Sequence, residues 1–119
     1  MRKLILFLIT GMLWCNFGFA EVSVRGYNKL MASENKHDHN LADLIIDHIY
    51  AGLQTANAQL KQKKKKPIYC TPDKLKINVQ NLRTFIKDEV KFLKDKGAKV
   101  DDIPVSIIIA THLEKIFPC

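Results

Sequence analysis

The sequence predicts an all-α fold: a small single-domain helical bundle of three main helices plus a short N-terminal helix, stapled by one disulfide. Three observations lead there. Apolar residues recur at helical spacing over 41–61, 79–96 and 105–117. Proline, glycine and asparagine stand between these stretches, where helices start and stop. No run alternates apolar and polar residues long enough to make a strand.

The chain begins with Met1-Arg2-Lys3, an apolar run from Leu4 to Cys15, and Gly18-Phe19-Ala20 ahead of Glu21. That is the layout of a secretory signal peptide over residues 1–20, and the run is short for a membrane-spanning helix. The competing reading, a retained anchor, fails on that length. Cys15 follows Trp14 rather than a small residue, which argues against lipidation. Cleavage after Ala20 leaves 99 of the 119 residues, enough for one small domain with no integral membrane span. The net charge falls from +7 to +5, because Arg2 and Lys3 leave with the leader. Two of three cysteines remain, Cys70 and Cys119, an even number in an oxidising compartment. Their pairing is expected against the alternative of two free thiols. Closing that loop of about 50 residues contributes about 4 kcal/mol in the chain-entropy account.

Residues 21–40 form a polar N-terminal segment with scattered apolar positions, and a short helix is expected over Tyr27–Ser33. Residues 33–40 read as a loop ending in the cap candidates Asp38 and Asn40. The domain proper is expected over 41–119. In its first helix, Leu41, Ile45, Ile49, Gly52, Leu53, Ala56 and Leu60 share a face. Gly52 on that face predicts a close crossing with another helix, set against simple tolerance of a helical glycine. Pro67 and Thr71-Pro72-Asp73 break the chain. Asn78 then caps a helix over Val79–Lys96, stopped by Gly97. Leu82, Ile86, Val90 and Leu93 form its main stripe, with Phe85 and Phe92 about 100° further round and Glu89 between them. Asp101-Asp102-Ile103-Pro104 opens the last helix, apolar nearly all round to Phe117 and so expected at the centre.

Two basic features stand out. Lys63, Lys64, Lys65 and Lys66, with Lys61 near, lie in the connector between the first two main helices. They suit phosphate groups of nucleic acid or envelope lipid, or an acidic protein surface. A solvated turn is the favoured reading, and an export signal argues against nucleic acid. Arg83, Lys87, Lys91 and Lys94 form a stripe within about 80° of helix surface, read as a solvated face that joins the connector in one basic side. His37-Asp38-His39 has metal-donor chemistry but no ligand spacing to complete it. His48 and His112 border apolar faces near Glu89, where hydrogen-bonded boundary positions are expected. Ser33 and Ser106 lie in no nucleophile motif, and no glycine-rich phosphate loop is present. These features argue against an enzyme and call for no cofactor.

Ile49-Tyr50-Ala51-Gly52-Leu53, Ala56-Asn57, Tyr69-Cys70-Thr71-Pro72 and the terminal Phe117-Pro118-Cys119 together resemble the Rap/Tai family of type VI secretion immunity proteins, over residues 41–119. Residues 21–40 depart from it in lacking the further cysteines that members carry toward the N-terminus. The resemblance implies a small disulfide-bonded helical protein of the periplasm of a Gram-negative bacterium, often a homodimer. It implies a protein that binds a peptidoglycan-cleaving amidase effector and blocks its cleft. The connector lysines and Tyr69 are the candidate partner-binding residues. The alternative is a cell-envelope accessory protein that binds anionic lipid or polysaccharide through its basic side.

Overall fold

The computed structural model describes residues 22–119; the leader expected over 1–20 lies outside them. Four helices account for 66% of the described residues: α1 (Val24–Ala32), α2 (Lys36–Gln62), α3 (Val79–Asp95) and α4 (Val105–Ile116). Among these residues there is no strand, only one bridge between Ser23 and Pro104.

The N-terminal segment is more ordered and more central than its polarity suggests. Ser23 caps α1 by accepting from the Gly26 amide at 3.2 Å, so the helix starts three residues before the expected Tyr27. The start is fixed from outside. The Val24 amide donates to Ile103 at 2.9 Å, the Arg25 amide to Asp101 at 3.0 Å, and the Val105 amide to Val22 at 2.8 Å. Val24 and Tyr27 are then buried in the common core, and α1 packs along α2.

α2 also begins earlier than expected. Asn35, rather than Asp38 or Asn40, is its N-cap, accepting from the His37 amide at 2.9 Å. Most of the expected 33–40 loop is therefore helix. Asp38 accepts from the Ser33 hydroxyl at 2.6 Å, and His39 bonds the Ser33 carbonyl, so both turn back on the helix start. The buried face is turned from the expected one. Ala42, Ile46, Tyr50 and Asn57 are buried, while Leu41 is 40% exposed. Tyr50 decides this rotation: its ring buries more apolar area than Leu41 or Ala56 offers, a weight that counting aliphatic positions misses.

Gly52 is a correction. It is exposed, and a β-carbon built on it meets nothing within 4 Å, so no helix crosses closely there. It is a tolerated helical glycine.

α3 follows the expected bounds closely. Asn78 and Asn81 cap it reciprocally at 2.9 and 3.0 Å, and Gly97, at φ +82°, supplies the left-handed turn after it. Leu82 and Ile86 face the core. α4 packs along α3 and against α2, burying Val105, Ile108, Ile109 and Leu113. It is not wrapped on all sides: Ile107 is exposed.

The connector closes the bundle. Asn57 Nδ2 donates to the Tyr69 carbonyl at 2.9 Å, while its Oδ1 accepts from the Ile68 amide at 2.8 Å. The Cys70 amide donates to the Phe117 carbonyl at 2.8 Å, and Cys70 is disulfide-bonded to Cys119 across 49 residues of chain. α2, the connector and the end of α4 therefore meet at one point.

Because Gly52 has open space above it and helical geometry around it, Gly52→Ala is expected to raise stability by about 0.5–1 kcal/mol in urea unfolding. A loss of stability would restore the close crossing.

Candidate binding surfaces

Lys61 to Lys66 are all exposed at the C-terminal end of α2. The helix ends there through the Lys63 amide donating to Gln59 at 3.1 Å and the Lys65 amide to Leu60 at 2.8 Å. Lys64 takes a left-handed conformation, φ 55°, which turns the chain out of the helix axis. Cations at this end meet the negative pole of the helix, so the sequence there is locally consistent. At Ile68, two residues past Lys66, the backbone is fixed by Asn57. The lysines thus form a short cationic turn between a helix end and a clamped segment.

Tyr69 does not belong to that surface. It is 3% exposed and sits in the core beside Tyr50. Burial raises its phenol well above the ordinary tyrosine value, and Tyr50 adds to the rise. Its hydroxyl is buried without a partner of hydrogen-bonding geometry. As a partner-binding anchor Tyr69 is therefore corrected: it plugs the space under the connector.

A second surface lies between α1 and α3. Each of these helices packs against another, α1 on α2 and α3 on α4, and a groove of about 590 Å³ opens between them. Tyr27, Met31, Ile86 and Val90 line it together with Arg83, Lys87, Lys91 and Lys94 and a single carboxylate, Asp95. The basic stripe read from the sequence as a solvated face is one wall of this groove. Arg83 is held by Asp43 of α2 through paired contacts at 2.7 and 2.5 Å. That pair lies close enough to Tyr27 to act on its phenol, which burial raises, Arg83 lowers and Asp43 raises further. Lys87, Lys91 and Lys94 make no ion pair with a described residue. The Arg83 end of the groove and the lysine turn are well separated: Asp43, which holds Arg83, and Lys63, the C-cap of α2, are 20 residues apart, about 30 Å of helix.

Among the described residues Glu89 is the one buried charged residue, 1% exposed on α3. Its Oε2 meets His112 Nδ1 at 3.2 Å and its Oε1 accepts from Lys115 Nζ at 2.7 Å, both from α4. The Phe85 ring lies 5.0 Å from that of His112, and Lys115 Nζ sits 3.6 Å from the Phe92 ring centre. His112 is thus where the sequence placed it. His48 is not: it is exposed and bonds its own helix at the Leu44 carbonyl, 2.7 Å away. The carboxylate is satisfied on both oxygens and closed to solvent, so it joins α3 to α4.

Among the described residues no three His, Cys, Asp or Glu side chains come together as a metal site, and no helix is long and apolar enough to cross a membrane. Comparison of the chain with protein-family models, curated proteins and solved structures finds no match.

The clamping role of Asn57, which enters the sequence reading only as part of the resemblance, and the groove between α1 and α3 are not legible in the sequence. Asn57 carries no periodic signal beyond being a polar residue on an otherwise apolar face. The groove depends on α1, whose place follows from backbone bonds to residues 101–105.

The Glu89 cluster gives an asymmetric expectation. Lys115 is 41% exposed on its side chain and can rehydrate when its partner goes, whereas Glu89 cannot. Lys115→Met is expected to cost about 3 kcal/mol at neutral pH, because a buried carboxylate loses its cation. Glu89→Gln is expected to cost about 1–2 kcal/mol, since shape and some hydrogen bonding survive. Denaturant unfolding of both variants checks the order, and the reverse order would mean that Lys115 carries little of the charge compensation.

Proposed function

We propose that this protein is an exported, non-catalytic binding protein of the immunity type, which blocks the cleft of a peptidoglycan-cleaving amidase with its cationic turn. The observation that carries the reading is the state of that turn. Lys63 to Lys66 are exposed, while the chain on either side is fixed by the end of α2 and by Asn57. A projecting segment that is already ordered loses less entropy on binding than a free loop. Its cations steer approach to a cleft lined with carboxylates and repel basic surfaces. Lysine is a poor residue for a buried interface core, so the turn acts by charge and by occupying space.

The Cys70–Cys119 bond supports an oxidising compartment, which for an exported protein of this type is the periplasm. In a homodimer of the kind the resemblance implies, the exposed Leu41 and Leu44, one helical turn apart on α2, offer the apolar contact.

The test is survival. Cells lacking this gene, placed beside neighbours that deliver amidase effectors by type VI secretion, are expected to lyse. The wild-type gene restores survival, and a gene carrying Lys63→Glu, Lys64→Glu, Lys65→Glu and Lys66→Glu does not. Unchanged survival without the gene, with no amidase co-purifying, overturns the reading. Salt-sensitive binding to anionic vesicles that depends on the same four lysines would replace it with envelope-lipid binding.

A further inference from the structure

The groove between α1 and α3 is a second surface, apart from the lysine turn. Its floor is apolar, from Tyr27, Met31 and Val90, and one wall carries Lys87, Lys91 and Lys94. Soluble proteins leave few apolar clefts open, and such clefts mark places where something binds. We propose that this groove binds an acidic amphipathic helix of a partner protein, laid along α3 with its apolar face on the floor.

The spacing of the cations selects this occupant. Lys87, Lys91 and Lys94 are separated by four and then three residues on one helix, a ladder of about 10 Å in all. A helix lying alongside presents carboxylates at i, i+4 and i+7 with the same rise, so each lysine finds a partner in register. A lipid headgroup or free phosphate concentrates its charge at one point and leaves most of that ladder unmatched. The three lysines make no ion pair with a described residue, and Asp95, the one carboxylate that lines the groove, offsets only one of them, so the wall stays cationic and suits an acidic ligand. Arg83, at the end of the same wall, is already satisfied by Asp43 and serves to hold α3 in place against α2. An incoming helix that touches both walls seats as a ridge between α1 and α3, the way helices pack in a bundle. This is recognition of a helix in a groove, with apolar anchors for affinity and charge for orientation. It does not depend on what the cationic turn binds.

The probe is a fluorescent helical peptide of about 18 residues, with glutamates at i, i+4, i+7 and i+11 beside a leucine stripe. Its anisotropy is read against the intact mature protein. Lys87→Glu with Lys91→Glu is expected to weaken binding at least about tenfold, and Met31→Asp to weaken it similarly. Lys64→Glu with Lys65→Glu, carrying the same change in net charge, is expected to leave it within about twofold. Circular dichroism monitors folding, and Lys87→Gln with Lys91→Gln serves if the reversal unfolds the protein. Equal loss from both pairs of reversals would show attraction by net charge alone and overturn the proposal. So would failure of the wild-type protein to bind, equal binding of the peptide with glutamine for glutamate, or phosphatidylglycerol vesicles binding with the same dependence on Lys87 and Lys91.

Discussion

Asn57 satisfies two backbone groups with one side chain, the Ile68 amide and the Tyr69 carbonyl, and most of this architecture depends on that arrangement. Without it, residues 63–78 would be a long irregular link between α2 and α3, and its closure entropy would oppose the bundle. With it, the chain returns along α2 just after leaving it, and Tyr69 is pressed into the core. Cys70 then meets the end of α4 twice, through the Phe117 carbonyl and through Cys119. The disulfide limits the unfolded ensemble, while the asparagine and the backbone bond fix the folded geometry. A buried amide with both ends satisfied is stabilising; the same amide with one end lost is costly.

The opposite end of the bundle is closed by different means. Residues 22–25 exchange backbone bonds with 101–105, and Arg25 lies over Asp101 and Asp102 at 3.7 and 3.2 Å. Those ion pairs are exposed and contribute little by themselves. The backbone bonds and the burial of Val24 and Tyr27 hold α1 there. Because α1 is held from its N-terminal end and by α2, it runs beside α3 without closing on it. The groove is the result. Glu89, His112 and Lys115 keep α3 against α4 on the other side, so the groove has one firm wall.

The main helices were legible because their apolar residues keep helical period and their ends carry strong stops. Asn78 and Gly97 act as expected, while Pro104 stands one position earlier than expected, as the N-cap of α4 rather than in its first turn. The cysteine pairing was legible from their number and position. Much of what the sequence does not show has one cause. Tyr50, Tyr69 and Asn57 have polar atoms, and their burial follows from tertiary partners that no local pattern reveals. Gly52 was read as a packing signal because it lay on the face chosen by aliphatic residues; once Tyr50 turns that face, the glycine points outward. α2 starts earlier than expected because Asn35, rather than Asp38 or Asn40 nearer the apolar run, is its cap, and α1 starts earlier because Ser23 caps it where no apolar period marks a start. The basic stripe on α3 was read correctly as a stripe, but its neighbour α1 could not be placed from sequence.

Native-state amide hydrogen exchange tests the clamp with the fewest assumptions. The Ile68 and Cys70 amides lie in an irregular segment, yet both donate to partners fixed in the bundle. They are expected to be protected to the level of buried α4 amides such as Leu113, exchanging only through global unfolding. After reduction of the disulfide, Cys70 is expected to lose more protection than Ile68, which Asn57 still holds. If both amides in the oxidised protein exchange as fast as that of the exposed Lys66, the connector is not clamped and the ordered cationic turn has no basis.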